Sequence, residues 1–259
     1  MDENVFNTNG AFLDVSPLLK SFVANPNNIG CHTLGKSEGA FKGSQELERE
    51  IIEVLAVDIF NAEENEYDGY IATGGTEANI QALWIYRNLF KRDFNASLNE
   101  MVILSSVDTH YSVHKGTNLL SVDTVSIPVN FDTREIIVED LDAIVTNLKS
   151  EGKKYFMVIS NMATTMFGSI DNPDVYADVL TNHKVKFKIH VDGAFGGFIY
   201  PISNRQSTIN FENPNISSIT IVAHKLLPAP YVTGVFLCRN GLIENVLTKE
   251  DQYVDEMEL

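Results

Sequence analysis

The chain has 259 residues, of which 44% are hydrophobic and 21% charged, and this composition excludes a fibrous or extensively disordered protein. Nineteen Lys and Arg residues against 35 Asp and Glu residues give a net charge of -16, which argues against binding to nucleic acid or to an anionic membrane. Cys31 and Cys238 lie far apart, so neither a disulfide framework nor a cysteine-based zinc site is expected. The chain lacks a signal-peptide pattern and any run of about 18 apolar residues, so we expect a soluble, cytoplasmic protein.

The first 43 residues are rich in Asn and Gly and predict an irregular N-terminal segment, followed by one large domain over residues 44–259. Ser44 is placed as the N-cap of a helix over 45–60. Leu47, Ile51, Leu55 and Ile59 recur at a spacing of four residues and are expected to form the buried face of this helix.

Short apolar strands and amphipathic helices then alternate to the end of the chain. Seven strands are predicted, at 68–73, 101–104, 122–127, 155–159, 187–191, 218–222 and 234–238. Helices are predicted at 76–90, 111–120, 138–148 and 174–180. This alternation predicts an α/β fold in which helices cover both faces of a mostly parallel sheet. In such sheets ligands bind beyond the carboxyl ends of the strands, and four polar features fall at those ends.

The first feature is the sequence Thr73-Gly74-Gly75-Thr76, which joins a strand to a helix. Glycines allow backbone N–H groups to approach an anion, and the helix N-terminus and the Thr76 hydroxyl add further donors. The spacing matches neither a P-loop nor a dinucleotide fingerprint. The alternative is a strand-to-helix turn that needs glycine for its shape alone.

The second feature is Asp192, which follows the strand at 187–191 and precedes the small residues Gly193 and Ala194. An Asp in this position can hold a cation, a metal or a protonated ring nitrogen, and the small residues leave room for a flat ligand. The alternative is that Asp192 caps the next turn.

The third feature is His224-Lys225, which follows the strand at 218–222. Burial at a strand end would lower the pKa of Lys225 and make its amine a nucleophile for carbonyl groups. The alternative is a lysine that extends to the surface.

The fourth feature is His110, which follows the strand at 101–104. His110 and His114 are four residues apart, but Tyr111 occupies the place of the glutamate that an HExxH zinc motif needs, so no metal site is predicted. An aromatic ring that lines a pocket and a structural histidine remain the two interpretations.

Together, the four features meet the requirements of pyridoxal phosphate: a loop that can bind an anion, a histidine ring that can line a pocket, a carboxylate and a lysine. The phosphate needs N–H donors, the ring nitrogen needs an anion to remain protonated, and the aldehyde needs an amine.

The sequence resembles the group II pyridoxal-phosphate-dependent amino-acid decarboxylases, a family with fold type I. The match runs from about residue 25 to the end. The motifs that carry it are GGTEAN (74–79), SVDTHYSVHK (106–115), NMATTMFGSID (161–171), HVDGAFGGF (190–198) and AHKLLPAPYVTGVFL (223–237).

The resemblance implies a role for each matching residue. Lys225 forms the internal aldimine, His110 stacks on the pyridine ring, and Asp192 pairs with the ring nitrogen; these are the implied catalytic residues. The other implied contacts to the cofactor come from Gly74, Gly75, Thr76, Thr165, Ala194 and His224. Asn28, His32 and Thr33 lie where the N-terminal segment of the family approaches the substrate.

The chain departs from the family pattern in two respects. Val222 stands where members often have a polar residue that holds phosphate, and Thr220 and Ser218 are the candidates to replace that contact. Members also continue with a mobile loop, a long helix and a small C-terminal domain, whereas this chain stops at Leu259. We therefore expect it to correspond to the N-terminal segment and the large domain only.

The resemblance implies a homodimer that decarboxylates an L-amino acid to an amine and CO2, without nucleic-acid or membrane partners. Two alternatives stay open. One is another reaction of fold type I, by an aminotransferase or a carbon–carbon lyase. The other is a catalytically inactive remnant that binds cofactor or a partner.

Overall fold

A seven-stranded sheet with helices on both faces organises the chain, as the sequence predicted. The computed structural model describes residues 42–229 and 232–247. The predicted substrate contacts Asn28, His32 and Thr33, and almost all of the predicted irregular segment 1–43, lie outside the described residues. None of the helices within the described ranges combines the length and the apolar composition that a membrane span requires.

The helices and strands alternate along the chain. The helices are α1 Lys42–Glu53, α2 Gly75–Phe94, α3 Ser112–Leu120, α4 Val138–Ser150, α5 Pro173–Asn182, α6 Tyr200–Ser203 and α7 Ala223–Leu226. The strands are β1 Tyr67–Ala72, β2 Met101–Ser106, β3 Asp123–Ile127, β4 Tyr155–Asn161, β5 Lys186–Gly193, β6 Ile216–Val222 and β7 Gly234–Arg239.

The first helix differs from its prediction in two ways. It begins at Lys42, so Ser44 lies inside its first turn and is not an N-cap, and it continues as a π-helical segment, Val54–Ile59. Leu47 and Ile51 are exposed, because the face that packs on the sheet carries Ile52 and Leu55 instead. The i+4 stripe predicted as the buried face is therefore wrong at its first two positions.

The strand order is β1-β7-β6-β5-β4-β2-β3, and β7 alone runs antiparallel to its neighbours. The other six strands are parallel, so their carboxyl ends lie along the same edge of the sheet. Helices α2 and α3 pack on one face, and α1, α4 and α5 pack on the other. This arrangement brings the loops after β1, β2, β4, β5 and β6 to a common edge.

A buried carboxylate closes the loop that follows β4. Oδ2 of Asp171 accepts hydrogen bonds from the Asn161 backbone N–H (2.9 Å) and from Asn161 Nδ2 (2.7 Å). Burial raises the pKa of Asp171 from 3.8 to about 6, while the bonds from Asn161 oppose the rise. This contact ties the ends of the segment 162–170 together, because the Asp171 N–H also donates to the Asn161 carbonyl (2.8 Å).

Two glycine backbones meet where β7 begins beside the loop after β1. A Cβ added to Gly234 would lie 2.6 Å from the carbonyl carbon of Gly74, and backbone atoms cannot move aside as the tip of a side chain can. We predict that Gly234→Ala lowers the free energy of unfolding by about 1–3 kcal/mol through this overlap. Urea denaturation measures the loss.

Gly43→Ala is the matched control, because no atom of the described residues lies within 4 Å of a Cβ at Gly43, inside α1. That variant should be neutral or more stable, since Ala favours a helix over Gly by up to about 1 kcal/mol. Equal stability of Gly234→Ala and the unaltered chain would contradict the close approach.

The raised pKa of Asp171 predicts how stability depends on pH. The folded chain binds a proton on this group up to about pH 6, whereas the unfolded chain releases it near 3.8. Asp171 therefore makes the free energy of unfolding fall as the pH rises from about 4 to about 6, on the order of 2 kcal/mol. Asp171→Asn should remove this decline, because Asn does not titrate. The free energy of unfolding of both chains is measured between pH 4 and 6. The same pH dependence in the two chains would contradict the prediction.

Candidate active site

A cavity of about 730 Å³ opens at the edge of the sheet where the parallel strands end. It is lined by all nine residues proposed from the sequence for cofactor binding, which are Gly74, Gly75, Thr76, His110, Thr165, Asp192, Ala194, His224 and Lys225. The structure thus brings together residues that are as much as 151 positions apart in the sequence, from Gly74 to Lys225. Their individual roles remain predictions.

The loop between β1 and α2 forms one wall of this cavity. A Cβ at Gly75 would lie 3.0 Å from Cγ2 of Val222 and 3.1 Å from Cβ of Ala194, so the turn itself favours glycine. Ala78 N–H bonds back to the Gly74 carbonyl (3.1 Å), and the N–H groups that precede it in the first turn of α2 remain available to an anion. The steric and the anion-binding interpretations of this loop are therefore compatible.

Glu77 holds the same loop in place. Its Oε2 accepts from the Thr73 N–H (3.1 Å), and its Oε1 accepts from the Tyr70 hydroxyl. The carboxylate thus links β1, the loop and the first turn of α2.

The two residues considered as substitutes at the Val222 position do not reach the cavity. Ser218 and Thr220 are completely buried, and neither lines the cavity wall. The hydroxyl of Ser218 instead contacts the imidazole of His190. The expectation that either one replaces a phosphate contact is therefore wrong.

Asp192 is a buried carboxylate at the cavity wall, with 7% of its surface exposed. Its Oδ2 accepts from Asn79 Nδ2 (2.8 Å) and its Oδ1 from the Ala194 N–H (3.1 Å). No ion pair joins it to a Lys, Arg or His side chain among residues 42–229 and 232–247. Because a buried anion is unfavourable without a counter-charge, this position suits a cationic ligand atom such as a protonated ring nitrogen.

His110 is half-buried at the same cavity. Its Nδ1 accepts from the Ser112 N–H (3.2 Å), and its ring lies 4.1 Å from the ring of Tyr111. Burial lowers the pKa of His110; the Asp192 charge opposes that shift, and Lys225 and Lys115 add to it. His110, Asp192 and Lys225 line the same cavity, and the net lowering of the His110 pKa favours a neutral imidazole.

His114, the second histidine of the pair considered as metal ligands, is exposed. Within the part of the chain that the structure describes, no three His, Cys, Asp or Glu side chains form a group that could hold a metal ion.

Lys225 lines the cavity and is exposed, so of the two interpretations offered by the sequence the structure favours a lysine that extends to the surface over one that is buried. The reason is its position in α7, which begins one residue beyond the end of β6 and carries the side chain past the edge of the sheet. Its access to the cavity, rather than burial in the core, makes the amine available to a ligand.

His224 presents one ring nitrogen to its own loop. Nδ1 accepts a hydrogen bond from the Thr233 N–H (2.9 Å), which places the proton of the neutral ring on Nε2. His224 also lines the cavity, and the described residues provide no hydrogen-bond partner for Nε2.

The segment after β4 contributes two adjacent threonines with different surroundings. Thr164 is buried and its hydroxyl bonds to Ser169 Oγ (2.7 Å), whereas Thr165 is exposed at the rim. Asn161 also lines the cavity, and its Nδ2 lies 2.9 Å from Thr109 Oγ1.

Two residues of the site had no role predicted from the sequence: Asn79, the direct partner of Asp192, and the buried His190 behind it. A signal for each was present. Asn79 is a polar residue in an apolar stretch of α2, four residues after Gly75 and therefore on the same helix face. His190 is two residues before Asp192 on a strand, so the two side chains share one face of the sheet.

Known proteins of similar sequence include amino-acid decarboxylases. The chain is 51% identical over its 259 residues to a tryptophan decarboxylase of Clostridium sporogenes and covers 62% of that protein. It is 28% identical over 252 residues to a histidine decarboxylase of Vibrio campbellii, with 96% of this chain and 61% of that protein covered. The chain therefore spans less than two thirds of the length of these relatives.

Among solved structures, L-methionine decarboxylase from Streptomyces sp. 590 superposes with a TM-score of 0.74 at 20% identity, which covers 91% of this chain and 63% of the other and shows a shared fold. The family model for the pyridoxal-dependent decarboxylase conserved domain matches residues 2–256. By the extent of that match, the chain belongs to the pyridoxal-dependent decarboxylase family.

Proposed function

We propose that this protein uses pyridoxal phosphate to decarboxylate an aromatic L-amino acid, with L-tryptophan as the first substrate to test. The observation that carries the proposal is a buried carboxylate, Asp192, that forms no ion pair within the described residues and lies in the same cavity as Lys225. The tryptophan decarboxylase relative supports an aromatic substrate. Trp84, Tyr111 and Phe195 among the lining residues offer aromatic surface to such a side chain.

The residues present fit the cofactor. When bound, pyridoxal phosphate supplies the electron sink that allows the bond between Cα and the carboxylate to break with release of CO2. The first turn of α2 and Nε2 of His224 are proposed to bind the phosphate. Asp192 is proposed to hold the proton of the ring nitrogen, and Lys225 to bond with the aldehyde.

The walls of the cavity orient the flat ring. The neutral imidazole of His110 is proposed to stack on one face, and the small side chain of Ala194 to contact the other. Thr165, at the rim, is proposed to donate to the ring hydroxyl. The aromatic side chains at the cavity mouth exclude water from the reacting bond.

We also propose that the protein is a cytoplasmic homodimer. Tyr111, Phe195 and Val232 line the cavity and are exposed, and a second copy would cover this apolar rim. The buried free thiol of Cys238 is typical of a reducing compartment. Analytical ultracentrifugation tests the oligomeric state, and a monomer at all concentrations would contradict the dimer.

Labelling with borohydride tests the lysine assignment. Added pyridoxal phosphate should give the absorbance of a lysine-bound cofactor, and reduction followed by peptide mapping should find the label on Lys225. Lys225→Ala should lose the label, whereas Lys115→Ala, which removes an exposed lysine four residues after Tyr111, should retain it. Retained label in Lys225→Ala would show that another residue binds the aldehyde.

Product analysis tests the reaction. With L-tryptophan, the protein should release CO2 and tryptamine in equal amounts. A keto acid would indicate an aminotransferase, and an aldehyde released from a β-hydroxy amino acid such as L-threonine, supplied in a parallel assay, would indicate a carbon–carbon lyase. Cofactor bound on Lys225 with no product from any aromatic L-amino acid would favour the non-catalytic remnant.

His224→Asn tests the proposed phosphate contact. The Asn side chain can replace Nδ1 as the acceptor for Thr233, but it lacks a group at the position of Nε2. We predict that the variant binds pyridoxal phosphate about tenfold more weakly, as expected for the loss of one charge-assisted hydrogen bond. Its affinity for pyridoxal, which has no phosphate, should be unchanged. Equal losses for the two ligands would rule out a phosphate-specific role.

A further inference from the structure

A chain of buried polar side chains leads from the core of the sheet to Asp192. Ser218 Oγ lies beside the Tyr86 hydroxyl and 2.7 Å from Nδ1 of His190. Nε2 of His190 lies 3.0 Å from Asn79 Oδ1, and Asn79 Nδ2 lies 2.8 Å from Asp192 Oδ2. Helix α2 and strands β5 and β6 each contribute to this chain of contacts.

The surroundings make this arrangement unusual for a core. Tyr86, His190 and Ser218 are completely buried and Asn79 is 1% exposed. The ring of His190 stacks at 6.3 Å on Phe236, which belongs to the main apolar cluster. An apolar side chain could fill the position of His190 without the need for partners, whereas a buried polar group left unpaired costs about 1–3 kcal/mol. A role in orienting Asp192 explains why polar groups occupy these positions.

The chemistry of the groups fixes the direction of the hydrogen bonds that run from Ser218 to Asp192. A carboxylate only accepts, so the Asn79 amide must point its NH2 group at Asp192 and its oxygen at His190. His190 must then donate from Nε2 and accept at Nδ1, and Ser218 must donate to Nδ1. Burial lowers the pKa of His190 to about 3, so the ring is neutral and has the single proton that this pattern requires.

We propose that His190 is a positioning residue, which fixes the Asn79 amide and, through it, the orientation of the Asp192 carboxylate toward the cofactor. Ser218, His190 and Asn79 each donate one hydrogen bond in the direction of Asp192, and this polarity suits a carboxylate, which only accepts. At the far end of the series the Tyr86 hydroxyl adjoins Ser218 Oγ and also lies 3.3 Å from the Ile189 carbonyl oxygen. The inference rests on the proposed function for the identity of the group that Asp192 faces. The direction of the hydrogen bonds does not depend on the proposed function.

The first measurement tests the network without cofactor. NMR of the chain labelled with 15N at its six histidines should show His190 as a neutral ring with the proton on Nε2 at pH 7. The spectrum of His190→Gln, which lacks that signal, assigns it. A proton on Nδ1, or a charged ring, would overturn the proposed polarity.

The second measurement follows the ring nitrogen of 15N-labelled pyridoxal phosphate. His190→Leu removes the donor to Asn79 and should shift this nitrogen signal toward the unprotonated form, with about tenfold weaker binding. His190→Gln should restore both, because the Gln amide nitrogen can take the position of Nε2. A role in folding alone would not produce this difference in ring protonation.

A matched pair of tyrosines keeps the test valid if His190→Leu fails to fold. Tyr86→Phe and Tyr176→Phe each remove a completely buried hydroxyl. Only Tyr86 belongs to the network, whereas the Tyr176 hydroxyl has no hydrogen-bond partner among the described residues and lies on the opposite face of the sheet. Tyr86→Phe should shift the ring-nitrogen signal in the same direction as His190→Leu, by a smaller amount, and Tyr176→Phe should not.

The outcomes separate this inference from the proposed function. If Lys225 takes up the label but the ring-nitrogen signal is the same in Tyr86→Phe and in every folded His190 variant, the positioning role is wrong and the cofactor site stands. If the unaltered chain binds no pyridoxal phosphate, the proposed function and its extension to His190 both fail.

Discussion

A carboxylate buried without a protein counter-ion is the constraint on which the rest of the site depends. Asp192 receives one hydrogen bond on each oxygen, from Asn79 and from the Ala194 backbone, but no Lys, Arg or His of the described ranges forms an ion pair with it. Such an anion is stabilised fully only when a cation enters the cavity. A protonated ring nitrogen meets this requirement, and the first turn of α2 and Lys225 line the same cavity, where the proposed function assigns them to the two ends of the cofactor.

The sheet explains why these groups meet. Six parallel strands place the loops after β1, β2, β4, β5 and β6 at one edge, and each loop contributes to the cavity wall. The antiparallel strand β7 starts at the same edge and brings Gly234 against Gly74, which supports the turn between β1 and α2 from outside. The same glycine loop is therefore constrained by close backbone packing and, in the proposed site, by the need to bind a ligand.

The fold class and the positions around the cavity were predictable from local pattern, because strands that alternate with helices have a strong periodic signal and polar residues at their ends stand out. The antiparallel direction of β7 was not predicted, although the connection 223–233 is shorter than the crossover of about a dozen or more residues that a parallel pair needs. The exposure of Lys225 depends on where β6 ends and α7 begins, which apolar composition alone does not determine. Strand pairing likewise brings Ser218 beside His190, and no local signal encodes that contact.

The measurement that tests the site most directly is a crystal structure of the chain with pyridoxal phosphate. An Asp192 carboxylate oxygen should lie about 2.7–3.0 Å from the ring nitrogen, the phosphate should lie at the first turn of α2 beside His224, and the aldehyde carbon should be bonded to Lys225. A cofactor whose ring nitrogen faces away from Asp192, or whose phosphate lies outside this turn, would contradict the proposed site.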